Sequence, residues 1–177
     1  NGGRSFVPLD TPSTISAVNT NKTISVAGGV LEGVAGFGES DVLQFKATIT
    51  DTSGNATTGT VSDTTLTVDQ TAATISTSSI ASDNETVTLA KTGDTVTLTI
   101  ATNENVSSPT VTFTSGGAAA TNADTVSGAS PGTSFTSAYT VDASDTDGTV
   151  AISITATDVV GNTTSGFTTI SAGSVTV

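Results

Sequence analysis

The chain has 177 residues, with 4 Lys and Arg against 16 Asp and Glu, and a formal net charge of −12. It contains no His or Cys, which argues against Ser-His-Asp and Cys-His nucleophiles and against most zinc sites. The acidic balance argues against nucleic acid and anionic membranes as partners, because both are bound by basic patches.

Low charge separates this chain from disordered sequences. Only 11% of its residues are charged, whereas disorder normally combines low hydrophobicity with high charge. No signal peptide, lipid-attachment Cys or apolar run near ~18 residues is present, so we expect no membrane insertion. The sequence is that of a mature chain or of a piece of a longer one.

Apolar and polar residues alternate along the chain with the period of two that is typical of strands. Residues 42–49 place Leu43, Phe45, Ala47 and Ile49 on one face. Similar alternation follows at residues 95–100, 111–113, 135–141, 149–157 and 175–177. No window of useful length keeps a helical period. Many short strands at roughly even spacing predict an all-β chain and a β-sandwich.

A weak internal repeat predicts two units. Residues 45–55 parallel residues 152–162: a strand runs into Thr-Asp-x-x-Gly-Asn, and a Thr-rich strand follows. We place the boundary near residues 69–73, which gives an extension over 1–10 and units over 11–72 and 73–177. The first unit is short for a seven-stranded sandwich of roughly 100 residues, so we expect it to lack strands or to borrow one.

The second unit carries several short motifs in a fixed order. They are Asp83-Asn84, residues 91–100, Asn103-Glu-Asn-Val106, residues 109–113, Tyr139-Thr-Val141, Asp145-Thr-Asp-Gly148 and residues 157–162. This order resembles bacterial Ig-like tandem repeats of large extracellular surface proteins, such as RTX-type adhesins and surface-layer-like repeats. The resemblance implies two tandem Ig-like β-sandwich units in a secreted or cell-surface protein. The family's joint usually ends in Pro, where this chain has Ala73.

Calcium is the most plausible ligand, because it takes six to eight oxygens from carboxylates, amides and carbonyls. Asp158 and Asn162 bracket one turn, as Asp51 and Asn55 bracket another. The Ig-like resemblance implies that the later turn lies at the same end as Glu104 and the joint residue Asp69. We therefore predict a calcium site at Asp69, Glu104, Asp158 and Asn162, completed by Glu39 or Asp41. The alternative is that Asp and Asn only form Asx-turns with Gly.

The same reasoning predicts half-sites at the two ends of the chain. Asp145 and Asp147 should lie at the far end of the second unit, and Asp10, Asp51 and Asn55 at the near end of the first. Two half-sites would favour head-to-tail joining through calcium. The alternative interpretation of residues 145–148 is a solvated turn.

The first ten residues differ in kind from the rest. Phe6, Val7 and Leu9 are apolar and have no clear partner in the shortened first unit. They form either a frayed linker or a strand donated to the open sheet edge of a neighbour.

We expect a non-catalytic extracellular structural module: calcium-rigidified repeats of an adhesin or stalk, with neighbouring copies or repeats as partners. One alternative is a self-assembling subunit of a filament, sheath or surface layer, joined by strand donation or calcium. Another is a module that binds protein or host or surface glycans, although six Phe and one Tyr supply few aromatic rings. We expect no enzymatic activity, since carboxylate pairs of the glycosidase kind arise by chance among 16 acids.

Overall fold

The computed structural model describes residue 8 and residues 23–122 and 126–177. Contacts divide the chain into two compact units, Asn1–Gln70 and Thr71–Val177. The proposed extension over residues 1–10 lies outside the described residues except for Pro8. The all-β prediction is confirmed, since strands dominate and the one helix of the described residues has five residues. No helix in the described ranges has the length and apolarity to cross a membrane.

The first unit contains one long irregular hairpin and one short helix. Helix α1 is Gly28–Glu32, and the strands are β1 (Val42–Leu43), β2 (Thr48–Thr50), β3 (Ala56–Thr58) and β4 (Leu66–Thr67). Strand β1 pairs with β4, and β2 pairs with β3, in both cases antiparallel. Between these ladders, Gly59 N donates to Ala47 O (2.8 Å) and Ser62 N donates to Phe45 O (2.7 Å). The two short ladders therefore belong to one hairpin.

The apolar face of this hairpin is largely open to solvent. Phe45 is 38% exposed, Ile49 60% and Leu66 51%. Within residues 23–70, Val68 is the one buried residue. Among residues 23–70, no second layer of the kind that a sandwich requires covers this face. A two-stranded hairpin alone is marginally stable in water.

The second unit has seven strands in two antiparallel sheets. They are β5 (Ile75–Ser82), β6 (Thr95–Val106), β7 (Thr110–Ser115), β8 (Ala118–Ala119), β9 (Gly132–Thr140), β10 (Val150–Thr157) and β11 (Thr163–Phe167). The sheet orders are β5-β6-β9 and β11-β10-β7-β8. This arrangement agrees with the predicted β-sandwich.

The core of the second unit follows directly from the alternating pattern. Val96, Leu98 and Ile100 of β6 are fully buried, while the intervening threonines are exposed. Strand β10 buries Val150, Ile152, Ile154 and Ala156 in the same way. Burying each large apolar side chain contributes roughly 1.5–3 kcal/mol. Phe113 of β7 meets Tyr139 of β9 with ring centroids 5.2 Å apart, which joins the two sheets across the core.

The last residues of the chain connect one sheet to the other. Ala172 forms a β-bridge with Ser79 of β5. Thr176 forms β-bridges with Leu89 and with Thr149, the residue before β10. Val175 is fully buried between these contacts. The chain reaches this path through Gly173, whose φ is +79° and whose added Cβ would collide with the carbonyl oxygen of Ile80.

Replacing Gly173 tests this connection, because the chain also offers a matched control. Gly166 has a similar φ of +69° but open space around it. Both Gly→Ala changes incur the left-handed backbone penalty, and Gly173→Ala adds the steric clash. We expect Gly173→Ala to reduce the unfolding free energy by about 1–3 kcal/mol more than Gly166→Ala in urea denaturation. Equal losses would show that the approach to Ile80 is not a tight contact.

Candidate metal centre

Asp158 organises the turn between β10 and β11. Its Oδ1 accepts hydrogen bonds from the backbone N–H groups of Val160 (2.9 Å), Gly161 (2.7 Å) and Asn162 (2.9 Å). Its Oδ2 accepts one from Nδ2 of Asn162 (2.9 Å). Asp158 N donates in return to Asn162 O (3.0 Å), which closes the turn. This is the Asx-turn that the spacing predicted.

The surroundings of Asp158 favour a carboxylate over a carboxylic acid. The side chain is 2% exposed, and burial by itself raises its pKa. Hydrogen bonds from the Asn162 side chain and from three backbone amides oppose this effect, and the pKa of Asp158 lies below its ordinary value of 3.8. Oδ1 carries three hydrogen bonds and Oδ2 only one, so Oδ2 retains a lone pair that can bind a cation.

Glu104 comes close to this turn because β6 is irregular near its end. The ladder between β6 and β9 shifts register between Ala101 and Val106, so the residues between them leave the regular pairing. Thr102 Oγ1 donates to Glu104 O (2.6 Å) within this bulge. Val106 then bridges Asp158, which brings the end of β6 beside the start of the β10–β11 turn. Bulges re-aim side chains in this way next to functional sites.

The connecting segment, which we define as residues 68–74 between β4 and β5, carries Asp69. Its last two residues, Ala73 and Thr74, belong to the second unit and are hydrogen-bonded to other parts of it. Thr164 Oγ1 donates to Ala73 O (2.6 Å), and Thr74 N donates to Asn103 Oδ1 (2.6 Å). Ala73 is fully buried in a small cluster with Val106, Phe135 and Ala156. Neither Asn103 nor Thr164 was predicted to hold the connecting segment. Asn103 was named only as part of the motif that contains Glu104, and no local pattern distinguishes Thr164 from the other threonines.

Three carboxylates come together at this point. Asp69, Glu104 and Asp158 each offer one oxygen, and these oxygens lie within 4.8 Å of one another. Two oxygens bound to one calcium ion at 2.3–2.6 Å can be at most about 4.6–5.2 Å apart, and the separations in this group are within that range. This group could hold a metal ion, and its oxygen ligands suit calcium.

The other residues predicted for this site have local roles. Asn162 uses its Nδ2 to hold Asp158. Glu39 Oε2 accepts from the backbone N–H of Gln70 (2.6 Å), and Asp41 Oδ2 accepts from that of Gly38 (2.9 Å). Glu39 therefore links its loop to the connecting segment, Asp41 organises the loop itself, and neither belongs to the three-carboxylate group.

Asp51 and Asn55 form a second copy of the Asx-turn in the first unit. Asp51 Oδ1 accepts from the backbone N–H of Ser53 (2.9 Å) and Asn55 (2.8 Å), and Oδ2 accepts from Asn55 Nδ2 (2.8 Å). The Asn55 side-chain bond is the main cause that lowers the pKa of Asp51. Both residues are exposed. Among the described residues, no other acidic pair joins this turn to make a three-carboxylate group.

The remaining predicted half-site residues are not brought into a metal-binding group within the described ranges. Asp145 accepts from the N–H and hydroxyl of Thr121 (both 3.1 Å) and from Asp142 N (2.9 Å). Asp147 is exposed. Asp10 lies outside the described residues. These hydrogen bonds hold Asp145 against Thr121 and in a turn over residues 142–145, and the half-site and the solvated turn at residues 145–148 both stay predictions.

The lowered pKa of Asp158 has a consequence for stability in chelator. A carboxylate with a lower pKa in the folded state stabilises the fold above its unfolded pKa, near 3.8. This contribution is lost as the pH falls through the folded value. We expect urea midpoints to fall between about pH 5 and pH 2, and to fall less steeply for Asp158→Asn. The exposed Asp147→Asn variant should keep the wild-type profile, and equal profiles for both variants would contradict the assignment.

Comparison with known proteins adds no relative to this picture. No protein-family model, curated protein or solved structure matches the chain. Function is therefore inferred from the fold and from the geometry of the carboxylate group.

Proposed function

We propose that the chain is a non-catalytic structural module of a secreted or cell-surface protein, made of Ig-like repeats that calcium rigidifies in an adhesin or stalk. The observation that carries this proposal is the group of Asp69, Glu104 and Asp158. Asp69 lies on the connecting segment, Glu104 in the irregular end of β6, and Asp158 in the turn between β10 and β11.

The strand order of the second unit supports the Ig-like part of the proposal. In a constant-type Ig-like sandwich, the first, second, fourth and fifth strands share one sheet, and the third strand lies with the sixth and seventh in the other. Strands β5, β6 and β9 form one sheet here, and β7, β10 and β11 lie together in the other. The fourth strand, β8, departs from this order, since it pairs with β7 at the edge of the second sheet.

The electrostatics support a cation as the ligand. Three carboxylate oxygens within 4.8 Å repel one another, and the chain has a net charge of −12 with only four basic residues. A divalent cation would remove this repulsion. Calcium accepts irregular sets of oxygen ligands, including backbone carbonyls and water, whereas magnesium demands near-octahedral geometry. An irregular strand end and a tight turn suit calcium better.

The proposed mechanism is mechanical. Ala73 and Thr74 are held within the second unit by Thr164 and Asn103. A cation shared by Asp69, Glu104 and Asp158 would add a further restraint on the backbone between residues 69 and 73. Calcium would thereby stiffen the connecting segment.

A self-assembling subunit is the second candidate, and a separate observation favours it. The hairpin of the first unit leaves Phe45, Ile49 and Leu66 exposed. A chain that only spans distance has no need of such a face, whereas a subunit that receives a neighbour does.

Calcium binding provides the direct test of the proposed site. We expect calcium to raise the melting temperature of the wild-type chain by linkage, equivalent to about 2.7 kcal/mol at a hundredfold excess over Kd. Glu104→Gln removes one ligand charge and should weaken calcium binding at least about tenfold in titration calorimetry, a loss of ~1.4 kcal/mol. Glu85→Gln, an exposed glutamate of the same unit, is the matched control and should bind as the wild type does.

Limited proteolysis gives an independent readout of stiffening. Calcium should slow cleavage within residues 68–73 in the wild type and leave cleavage of Glu104→Gln unchanged. If wild type and Glu104→Gln gain the same stability and protection from calcium, the ion binds elsewhere and the proposed mechanism is wrong.

A further inference from the structure

The two units contain the same hairpin in two different environments. Residues 45–55 align with residues 152–162, and the structure gives both segments the same strand–turn–strand form with the same Asp-to-Asn hydrogen bonds. In the second unit this hairpin is β10–β11, and β7 pairs with the other side of β10. The second unit therefore shows what a complete environment for this hairpin looks like.

The first unit lacks that environment in the part of the chain that the structure describes. There, β1 and β2 pair only with β4 and β3, and no strand takes the position of β7. Ile152 and Ile154 are at most 3% exposed, whereas their counterpart Phe45 is 38% exposed and Ala47 is also exposed. The sequence of the first hairpin is thus patterned for burial that it does not have.

The hydrogen-bond pattern shows which edge is open. Gly59 N donates to Ala47 O and Asp51 N donates to Asn55 O, so residues 47 and 51 point their backbone groups into the hairpin. In an antiparallel ladder the intervening residues point outward. Thr48 therefore presents its N–H and C=O to the outer edge. Its counterpart in the second unit, Thr155, pairs with Thr110 of β7.

We propose that this edge receives residues 1–10 of a second copy of the chain as an added antiparallel strand. The occupant must be extended and apolar on one side, as β7 is with Val111 and Phe113. Residues 1–10 supply Phe6 and Pro8, which share one side of an extended strand. On the apolar side, these two residues would take the places that Val111 and Phe113 take in β7, with their backbone groups pointing away from the hairpin. The added strand becomes the new outer edge, where Pro8 is tolerated because its missing N–H would face solvent.

Charge selects this segment over a second hairpin. Residues 1–10 carry Arg4, one of four basic residues in the chain, and their one acidic residue, Asp10, is the last. The hairpin carries Asp51 at its turn and Asp41 and Asp63 in or beside its strands. Pairing two hairpins would bring these acids together, whereas residues 1–9 bring a positive charge to them. Strand addition would supply backbone hydrogen bonds for affinity and side-chain contacts for specificity.

This inference deepens the assembly candidate and does not depend on calcium, so it is tested in chelator. Sedimentation velocity over a concentration series should show that the wild-type chain associates. A chain that begins at Thr11 should stay monomeric and should bind a labelled peptide of residues 1–10, as measured by fluorescence anisotropy.

Two proline variants supply the matched comparison. Thr48 and Thr58 face one another across the hairpin and share a hydroxyl contact of 2.9 Å, but their backbone groups point to opposite edges. Thr48→Pro removes the N–H at the proposed docking edge, and Thr58→Pro removes one at the other edge. We expect Thr48→Pro to weaken association and peptide binding at least about tenfold and Thr58→Pro to leave both near wild type.

Each other outcome would overturn the proposal. Association that persists without residues 1–10 would assign the edge to a second hairpin. A monomeric wild type whose Thr11 variant binds the peptide would show that the segment covers its own hairpin. A wild type that does not associate, together with a peptide that does not bind, would show that the edge receives no strand from this chain.

Discussion

Two rows of apolar side chains, on β6 and β10, are the constraint on which the second unit depends. They are made of Val, Ile, Leu and Ala at alternating positions, because the chain has few aromatic residues to fill a core. A slip of one residue in either strand would turn its whole row to solvent, so the register of both strands is strongly specified. This register decides where β6 and β10 end, and therefore places Val106 beside Asp158. The candidate metal centre is a consequence of the core.

The Asx-turn shows how one local structure can have two roles. Asp51 and Asp158 make closely similar hydrogen bonds to their own turns, and both have lowered pKa values. Asp158 is buried and has a glutamate brought next to it by the bulge in β6, whereas Asp51 is exposed. The hydrogen bonds of the Asx-turn are thus the same in both units. Only in the second unit does a neighbouring strand end, that of β6, place a further carboxylate beside the turn and make it a candidate ligand site.

The scarcity of basic residues connects the two proposals. With four Lys and Arg in 177 residues, the chain has few internal counter-charges for its acidic groups. A divalent cation is one solution, and it suits the site where three carboxylates meet. The exposed hairpin of the first unit suits a different kind of partner, an apolar strand with little negative charge. Residues 1–9 have that composition.

Local patterns in the sequence were enough for the strands and the two Asx-turns, whereas the expectation that Asp69, Glu104 and Asp158 lie together came from the resemblance to Ig-like repeats. Period-two alternation indicates which residues face a core, and the Asp-x-x-Gly-Asn pattern indicates the hydrogen bonds within its own turn. The pattern of Leu43, Phe45, Ala47 and Ile49 was equally clear, yet it could not show that the face would remain open. A periodic pattern shows that a face is suited to burial. Whether the face is buried depends on the elements that pack against it.

Tertiary structure alone decided the contacts between residues far apart in the chain. Thr164 holds Ala73 across 91 residues, Asn103 holds Thr74 across 29, and residues 172–176 join one sheet to the other. Glu39 Oε2 accepts from the amide of Gln70, 31 residues away. A single hydroxyl, amide or carboxylate has many possible partners in a Thr-rich chain, and its sequence position does not distinguish among them. The choice is made by the packing of the core, which brings some backbone groups within 3 Å and keeps the others apart.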